Sequence, residues 1–316
     1  MTGHVTREGI GAAAERIAGH VRATPVIELP RGSLGGDWIP VLKLEFLQIS
    51  GSFKARGAFN AILSARVGPA GVAAASGGNH GAAVACAAGR LGHPARIFVP
   101  DIAAPAKIAA IRRWGAEVVI AGSRFEEAQA ACDAHVAATG ALRVHPFGAA
   151  PTILGQGTLF REWDGQARPL DTVLVAVGGG GLVSGAAVWW DGSGPRIVGV
   201  EPEGAPTLHA ALAAGGPVDV AVGSIAADSL GARNVGDLVF GLCRNRVAHV
   251  ALVPDAAIAE AQRRLWSDLR IAVEPGGATA LAAALAGKTD PRPGERVGVL
   301  VCGANVDLGR LAQLAE

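Results

Sequence analysis

Short β-branched runs alternate with Ala-rich stretches of helical spacing along most of the chain. "ARIFVP" (95–100), "AEVVIAG" (116–122), "DTVLVAVGGGG" (171–181, running into glycines) and "RIVGVEP" (196–202) predict strands. "PAKIAAIRRWG" (105–115), with Gly115 near its end, and "RFEEAQAACDAHVAATG" (124–140), ended by Gly140, predict helices. "LVSGAAVWW" (182–190) starts another helix. "DAAIAEAQRRLWSDL" (255–269) predicts a further one with Asp255 at its N-cap. "RVGVLVCGANVD" (296–307) reads as the last strand and a loop. Such alternation with apolar strands predicts an α/β architecture with parallel sheets. Ligands then sit at loops beyond the carboxyl ends of strands, and 76–81, 178–181 and 302–305 occupy such places. No repeat, low-complexity tract or linker interrupts the pattern, so any two lobes must be closely joined.

Composition narrows the function. The 316 residues suffice for one large domain or two lobes. Half of them are hydrophobic, the formal net charge is +1, and no basic block marks a nucleic-acid or anionic-membrane partner. No run of about 20 apolar residues predicts a membrane span. The Ala-rich start, with its Glu and Arg, lacks the apolar core of a signal peptide. Cys86, Cys132, Cys243 and Cys302 lie far apart without a CxxC pair, which argues for reduced thiols and a cytoplasmic location.

Only four of the 28 basic residues are lysines, and one stands in "ISGSFKARGAFN" (49–60). Ala55, Ala58, Phe59 and Ile62 follow helical spacing, which puts Lys54 in the first turn of a helix. The positive end of the helix dipole disfavours a cation there and lowers the amine's pKa, as a nucleophile or base requires. In "ASGGNHGAAVACAAGRLG" (75–92), a small polar turn leads into a helix whose first N–H groups can bind a carboxylate. "VGGGGLVSG" (177–185) sets four glycines between strand and helix, a phosphate cradle. No GK[ST] follows, and Val183 breaks the GxGxxG spacing. Glu201, about 20 residues on, still mimics the ribose-binding acid of a dinucleotide fold, which keeps a nucleotide-binding alternative. Cys302 ends an apolar strand and Glu274 precedes a Pro-Gly-Gly turn; alone, they read as a core thiol and a turn carboxylate.

Taken in order, "SFKARGA", "SGGNHG", "GGGG", "EP-GG" and "CGAN" resemble the fold-type II pyridoxal-phosphate enzymes, within them the serine/threonine dehydratase group that includes serine racemases. The resemblance runs from about Thr24 to Asp307. It implies the tryptophan synthase β-like fold: two lobes, each with a mainly parallel sheet flanked by helices. By position, 1–70 and 149–316 form the large cofactor-binding lobe. Residues 71–148 form the small lobe, which closes over substrate. Pyridoxal phosphate is the implied cofactor. Lys54 would hold its aldehyde as a Schiff base, which needs a primary amine that arginine lacks. Phe53 would pack beside the ring, and Gly178, Gly179, Gly180 and Gly181 would hold the phosphate. Asn79 would bond the 3′ oxygen, and Cys302 would face the pyridine nitrogen. Ser76, Gly77, Asn79 and His80 would surround the substrate carboxylate, with Ser76 and Lys54 as the catalytic pair.

The implied reaction removes water from L-threonine or L-serine, giving 2-oxobutyrate or pyruvate plus ammonia, in a homodimer. A neutral thiol at the pyridine nitrogen favours prompt loss of a β-leaving group over transamination. Three departures qualify the resemblance. Gly77 stands where similar racemases carry a second serine as acid/base, which disfavours racemisation. Relatives that bind a divalent cation use a Glu and an Asp six residues later; Glu201 and the Ala205 carbonyl match in part, but Thr207 replaces the Asp. A monovalent ion or water could stand there instead. The C-terminal regulatory domain of biosynthetic threonine dehydratases has no counterpart in the nine residues after Asp307, so isoleucine feedback is not expected. Alternatives are a dehydratase of another 3-hydroxy amino acid such as 3-hydroxyaspartate, a serine racemase, or a phosphate- or nucleotide-binding module without catalysis.

Overall fold

The computed structural model describes residues 5–103, 105–306 and 309. Asp307 and the remainder of 149–316 beyond it, apart from Gly309, lie outside the described residues, as do the first four residues of 1–70. In chain order the strands are β1 (Val26–Glu28), β2 (Ile39–Lys43), β3 (Val72–Ala75), β4 (Ala95–Val99), β5 (Glu117–Ile120), β6 (Leu142–Arg143), β7 (Thr172–Ala176), β8 (Arg196–Pro202), β9 (His249–Val253) and β10 (Arg296–Leu300). The helices are α1 (Arg7–Arg16), α2 (Lys54–Leu63), α3 (Asn79–Arg90), α4 (Pro105–Arg112), α5 (Phe125–Thr139), α6 (Ala150–Gln166), α7 (Gly181–Trp190), α8 (Thr207–Ala214), α9 (Ala227–Leu230), α10 (Gly236–Cys243), α11 (Asp255–Leu269) and α12 (Pro275–Leu285).

Two sheets result. One runs β1-β2-β10-β7-β8-β9, parallel except for β1; the other runs β5-β4-β3-β6, all parallel. All five residues of β7 and all four of β3 are buried, as strands covered on both faces should be. The α/β reading and its parallel sheets hold. The β1–β2 pair and β9 carried no signal that the periodicity singled out.

Local choices follow the chemistry of each stretch. Gly140 ends α5 at φ 71°, where a side chain would be strained. Glu127 closes the start of that helix by accepting the N–H groups of Ser123 and Arg124. Asp255 departs from expectation. Pro254 holds the N-cap of α11, and the Asp255 carboxylate instead takes the Ser224 hydroxyl at 2.6 Å and the Ile225 N–H at 3.0 Å. It ties α11 to the loop before α9.

Helix α2 stands between the two halves. Ala55, Ala58, Phe59 and Ile62, the predicted apolar face, join the core around β3 and β4. A buried ion cluster grips the helix from the other side. Arg56 donates to both Glu45 oxygens at 2.7 and 3.0 Å and to Glu162 at 2.9 Å. Lys43 donates to Glu162 at 2.5 Å, the Thr24 carbonyl at 2.7 Å and Gln166 at 2.6 Å. Two cations and two carboxylates balance, which burial demands. Across the gap between the sheets, Lys107 of α4 pairs with Asp228 of α9 at 2.7 Å.

Candidate active site

The segment before Lys54 is laced to the loop after β10. Phe53 N–H donates to the Cys302 carbonyl, Ser52 bridges Gly303, and Ala304 N–H donates to the Gly51 carbonyl. Lys54 is thereby held next to Cys302 at the first position of α2, where Phe53 at the N-cap offers no side-chain cap. The Lys54 Nζ donates to the Pro146 carbonyl at 2.8 Å and lies 5.0 Å from the centre of the Phe53 ring. Desolvation lowers its pKa from 10.5 to about 8. The expected low-pKa amine is present, with burial as its first cause.

Beyond β7, the chain enters the glycine loop. A Cβ on Gly179 would fall 2.2 Å from the Phe147 ring, and one on Gly178 would fall 2.8 Å from Leu230 Cα. Gly180, at φ 77°, is the N-cap of α7 and brings no side chain to cap it. No acceptor among the described residues takes the N–H groups of Gly178, Gly179 or Gly180. Side chains are thus excluded from a loop whose unspent donors sit at a helix N-terminus, an arrangement that fits a phosphate.

The turn 76–80 lies beyond β3. Ser76 Oγ accepts the Gly78 N–H at 3.2 Å. A Cβ on Gly77 would stand 3.2 Å from the Ala103 Cβ. Asn79 is engaged on both amide atoms: Nδ2 donates to Glu274 Oε1 at 2.5 Å, and Oδ1 accepts from Asn305 Nδ2 at 2.7 Å. His80 is the second residue of α3. Its ring Nε2 donates to the Val144 carbonyl at 2.8 Å, and burial, then Lys54, lower its pKa to about 3. The imidazole is neutral and brings no charge to an anion.

Glu274 is the site residue that the sequence reading left as a turn carboxylate. Buried, it shares electrostatics with Lys54 and Cys302, and desolvation raises its pKa to about 7. A Cβ on Gly303 would collide with its Oε1, and one on Gly277 would collide with the Gly303 carbonyl. "EP-GG" and "CGAN" are therefore interlocking glycine contacts around one carboxyl group. Cys302 is buried, donates weakly to the Gly276 carbonyl at 3.5 Å, and has its pKa pushed well up by burial and by Glu274. It is a neutral thiol, as the resemblance requires.

Glu201 has another task. Its two oxygens accept the Leu208 and His209 N–H groups at 2.7 and 2.9 Å, capping α8 from the end of β8. The Ala205 carbonyl accepts the Thr207 N–H at 3.0 Å, and the Thr207 hydroxyl donates to Ala232. Among the described residues no group of three acids, histidines or cysteines gathers around a metal position. The expected pair Glu201 and Ala205 is committed to the helix start, so this donor set does not fit a divalent cation. The same bonds deny Glu201 the role of a ribose-binding acid.

A glycine cradle and a low-pKa lysine held beside an aromatic ring and a neutral thiol together fit pyridoxal phosphate. Known proteins agree. Residues 17–303 match the family model described as "Pyridoxal-phosphate dependent enzyme". The chain is 41% identical to a phenylserine dehydratase of Ralstonia pickettii, over 96% of this chain and 94% of that one. It is 38% identical to an L-threonine ammonia-lyase of Thermotoga maritima, over 86% of this chain and 69% of the other. The structure of maize serine racemase superimposes with a TM-score of 0.92 at 35% identity, covering 98% of this chain and 96% of that one. The architecture is thus fold type II, and the chain belongs to the family of pyridoxal-phosphate-dependent enzymes.

Proposed function

We propose that the chain deaminates a 3-hydroxy amino acid, L-threonine and/or L-serine, by loss of water, yielding 2-oxobutyrate or pyruvate plus ammonia. The observation that carries this reading is the low-pKa Lys54 amine held beside the neutral Cys302 thiol. Bound in the glycine cradle, pyridoxal phosphate supplies an electron sink for the pair left at the substrate α-carbon. Lys54 Nζ would hold the cofactor at rest, and its neutral amine is the base for the α-proton. Ser76 and the first N–H groups of α3 hold the carboxylate. Asn79 would give an amide hydrogen to the cofactor's 3′ oxygen, and Phe53 would pack beside the ring. The cradle Gly178–Gly181 takes the phosphate.

Racemisation ranks below elimination, because Gly77 has no proton to give on the opposite face. The likeness to a phenylserine dehydratase supports adding a 3-aryl substrate to those tested. Residues 71–148 are the proposed small lobe, closing over substrate; every strand of the four-stranded sheet falls within that range. The scattered, unpaired cysteines support a cytoplasmic location and the resemblance supports a homodimer; a monomeric mass by light scattering would remove the dimer. Among the described residues no helix is long and apolar enough to cross a membrane.

The test is a keto-acid assay with threonine, serine, 3-hydroxyaspartate and 3-phenylserine, run on the wild type and on Lys54→Ala. Loss of at least about a hundredfold in the variant is expected. Normal keto-acid output from Lys54→Ala would sink the assignment, and D-serine rivalling keto acid would make the racemase the better reading.

A further inference from the structure

Glu274 occupies the N-cap of α12 without a side-chain bond to that helix. A capping acid ordinarily turns back onto its own first N–H groups. This carboxyl points the other way, onto an amide 195 positions distant in the chain. The neighbouring backbone makes room for it, since Gly303 could not carry a Cβ beside Oε1.

We infer that Glu274 is a positioning residue that acts through Asn79: with Asn305 it locks the Asn79 amide in one of its two flips, nitrogen towards Glu274 and oxygen towards Asn305. Glu274 Oε1 accepts whether the carboxyl group is ionised or carries its proton on Oε2, so Asn79 presents Nδ2 to it. Asn305 Nδ2 only donates, to Asn79 Oδ1 at 2.7 Å and to the Ser50 carbonyl at 3.0 Å. The flipped amide would face a donor with a donor and an acceptor with an acceptor. One Nδ2 hydrogen stays uncommitted, and it would serve the cofactor's 3′ oxygen. The inference rests on the reading of Asn79 as donor to that oxygen. A bond to the 3′ oxygen adjusts the charge on the ring, so orientation of Asn79 is read in the colour of the bound cofactor.

The experiment is a double-mutant cycle on the holoenzyme with Glu274→Gln, Asn79→Ala and both together. Absorption of the bound cofactor, kcat and KM are measured. A glutamine can present either end of its amide, so it keeps the volume and loses the lock. Glu274→Gln is expected to shift the cofactor band in the same direction as Asn79→Ala. It should lower kcat about tenfold to a hundredfold, the range for partners that orient a contacting group. On the Asn79→Ala background the second change should cost less than about twofold. Additive losses, with an effect of Asn79→Ala, overturn the inference alone. An Asn79→Ala holoenzyme with unchanged colour and kcat overturns the reading of Asn79 and the inference with it. If Glu274→Gln gives no folded holoenzyme, Asn305→Ala replaces it in the cycle, and additivity there is equally fatal.

Discussion

The N–H of Phe53 meets the carbonyl of Cys302 at 3.1 Å, and this bond makes the lysine and the thiol one unit. Two further contacts, Ser52 with Gly303 and Ala304 with Gly51, extend it into a short antiparallel clamp. Gly303 is its tightest point, because a Cβ there would strike the Glu274 carboxyl group. Gly303→Ala is expected to cost about 1–3 kcal/mol of stability through overpacking. Urea denaturation of the cofactor-free protein measures it. A stability equal to wild type would show that the clamp has slack.

The depressed pKa of Lys54 sets how the cofactor-free enzyme takes up pyridoxal phosphate. Only the neutral amine attacks an aldehyde, and in the folded chain it loses its proton at about 8 rather than 10.5. The rate of cofactor uptake should therefore rise about tenfold per pH unit below 8 and level off above it. Stopped-flow absorbance gives the profile. A rate still climbing at the same slope past pH 9 would place the amine near its ordinary value.

Glu274 makes an opposite contribution to stability. Its folded pKa is raised to about 7 from 4.5. Between those values the native chain holds a proton that the unfolded chain has released. The stabilisation is complete below about pH 4.5 and is lost as pH rises through 7, at up to ~1.4 kcal/mol per pH unit. Comparing the pH dependence of the melting temperature of the cofactor-free wild type with Glu274→Gln isolates the effect, since Glu201, whose pKa burial raises to about 8, titrates in both. Parallel curves would mean that the Glu274 carboxyl group is not the source.

What the sequence made legible follows from how local each signal is. Lys54 stood out because its neighbours are small and its helix start is readable within ten residues; the four glycines of 178–181 announce themselves in the same way. Glu274 did not, because its meaning is a bond to Asn79 across most of the chain. The cluster of Lys43, Glu45, Arg56 and Glu162 was silent for the same reason: its four charges come from β2, the turn after it, α2 and α6. The bond from the His80 ring to the chain beyond β6 was silent as well, because its partner lies 64 positions away. Glu201 misled through spacing alone, which cannot reveal that the start of α8 already fills its carboxylate.

Lys107 and Asp228 join α4 to α9, and α9 lies against both the 76–80 turn and the glycine loop: Asp228 faces Gly78, and Leu230 faces Gly178. Asp228 is largely exposed, so the pair is a weak tie, worth about 1 kcal/mol or less. Lys107→Ala should lower kcat/KM by less than about fivefold. Salt should reproduce part of that loss in the wild type and little of it in the variant. A salt effect of the same size in both would remove the pair from any part in closing the site.

Arg56 ties the start of α2 to the buried ion cluster. Two positions after Lys54, it is 2% exposed and binds Glu45, itself fully buried, with two bonds. Arg56→Ala strips the bonded counter-charge from the buried Glu45 and one of two from Glu162, which keeps Lys43. The expected cost is about 3–5 kcal/mol. Arg56→Lys should recover only part, because an ammonium cannot span both oxygens of Glu45 while reaching Glu162. Replacing Arg56 and Glu45 together by apolar residues should be milder than Arg56→Ala, because no buried charge is orphaned at that position. Chemical denaturation of the three variants orders them, and a double variant less stable than Arg56→Ala would show that the ion cluster contributes net stability beyond its own neutrality.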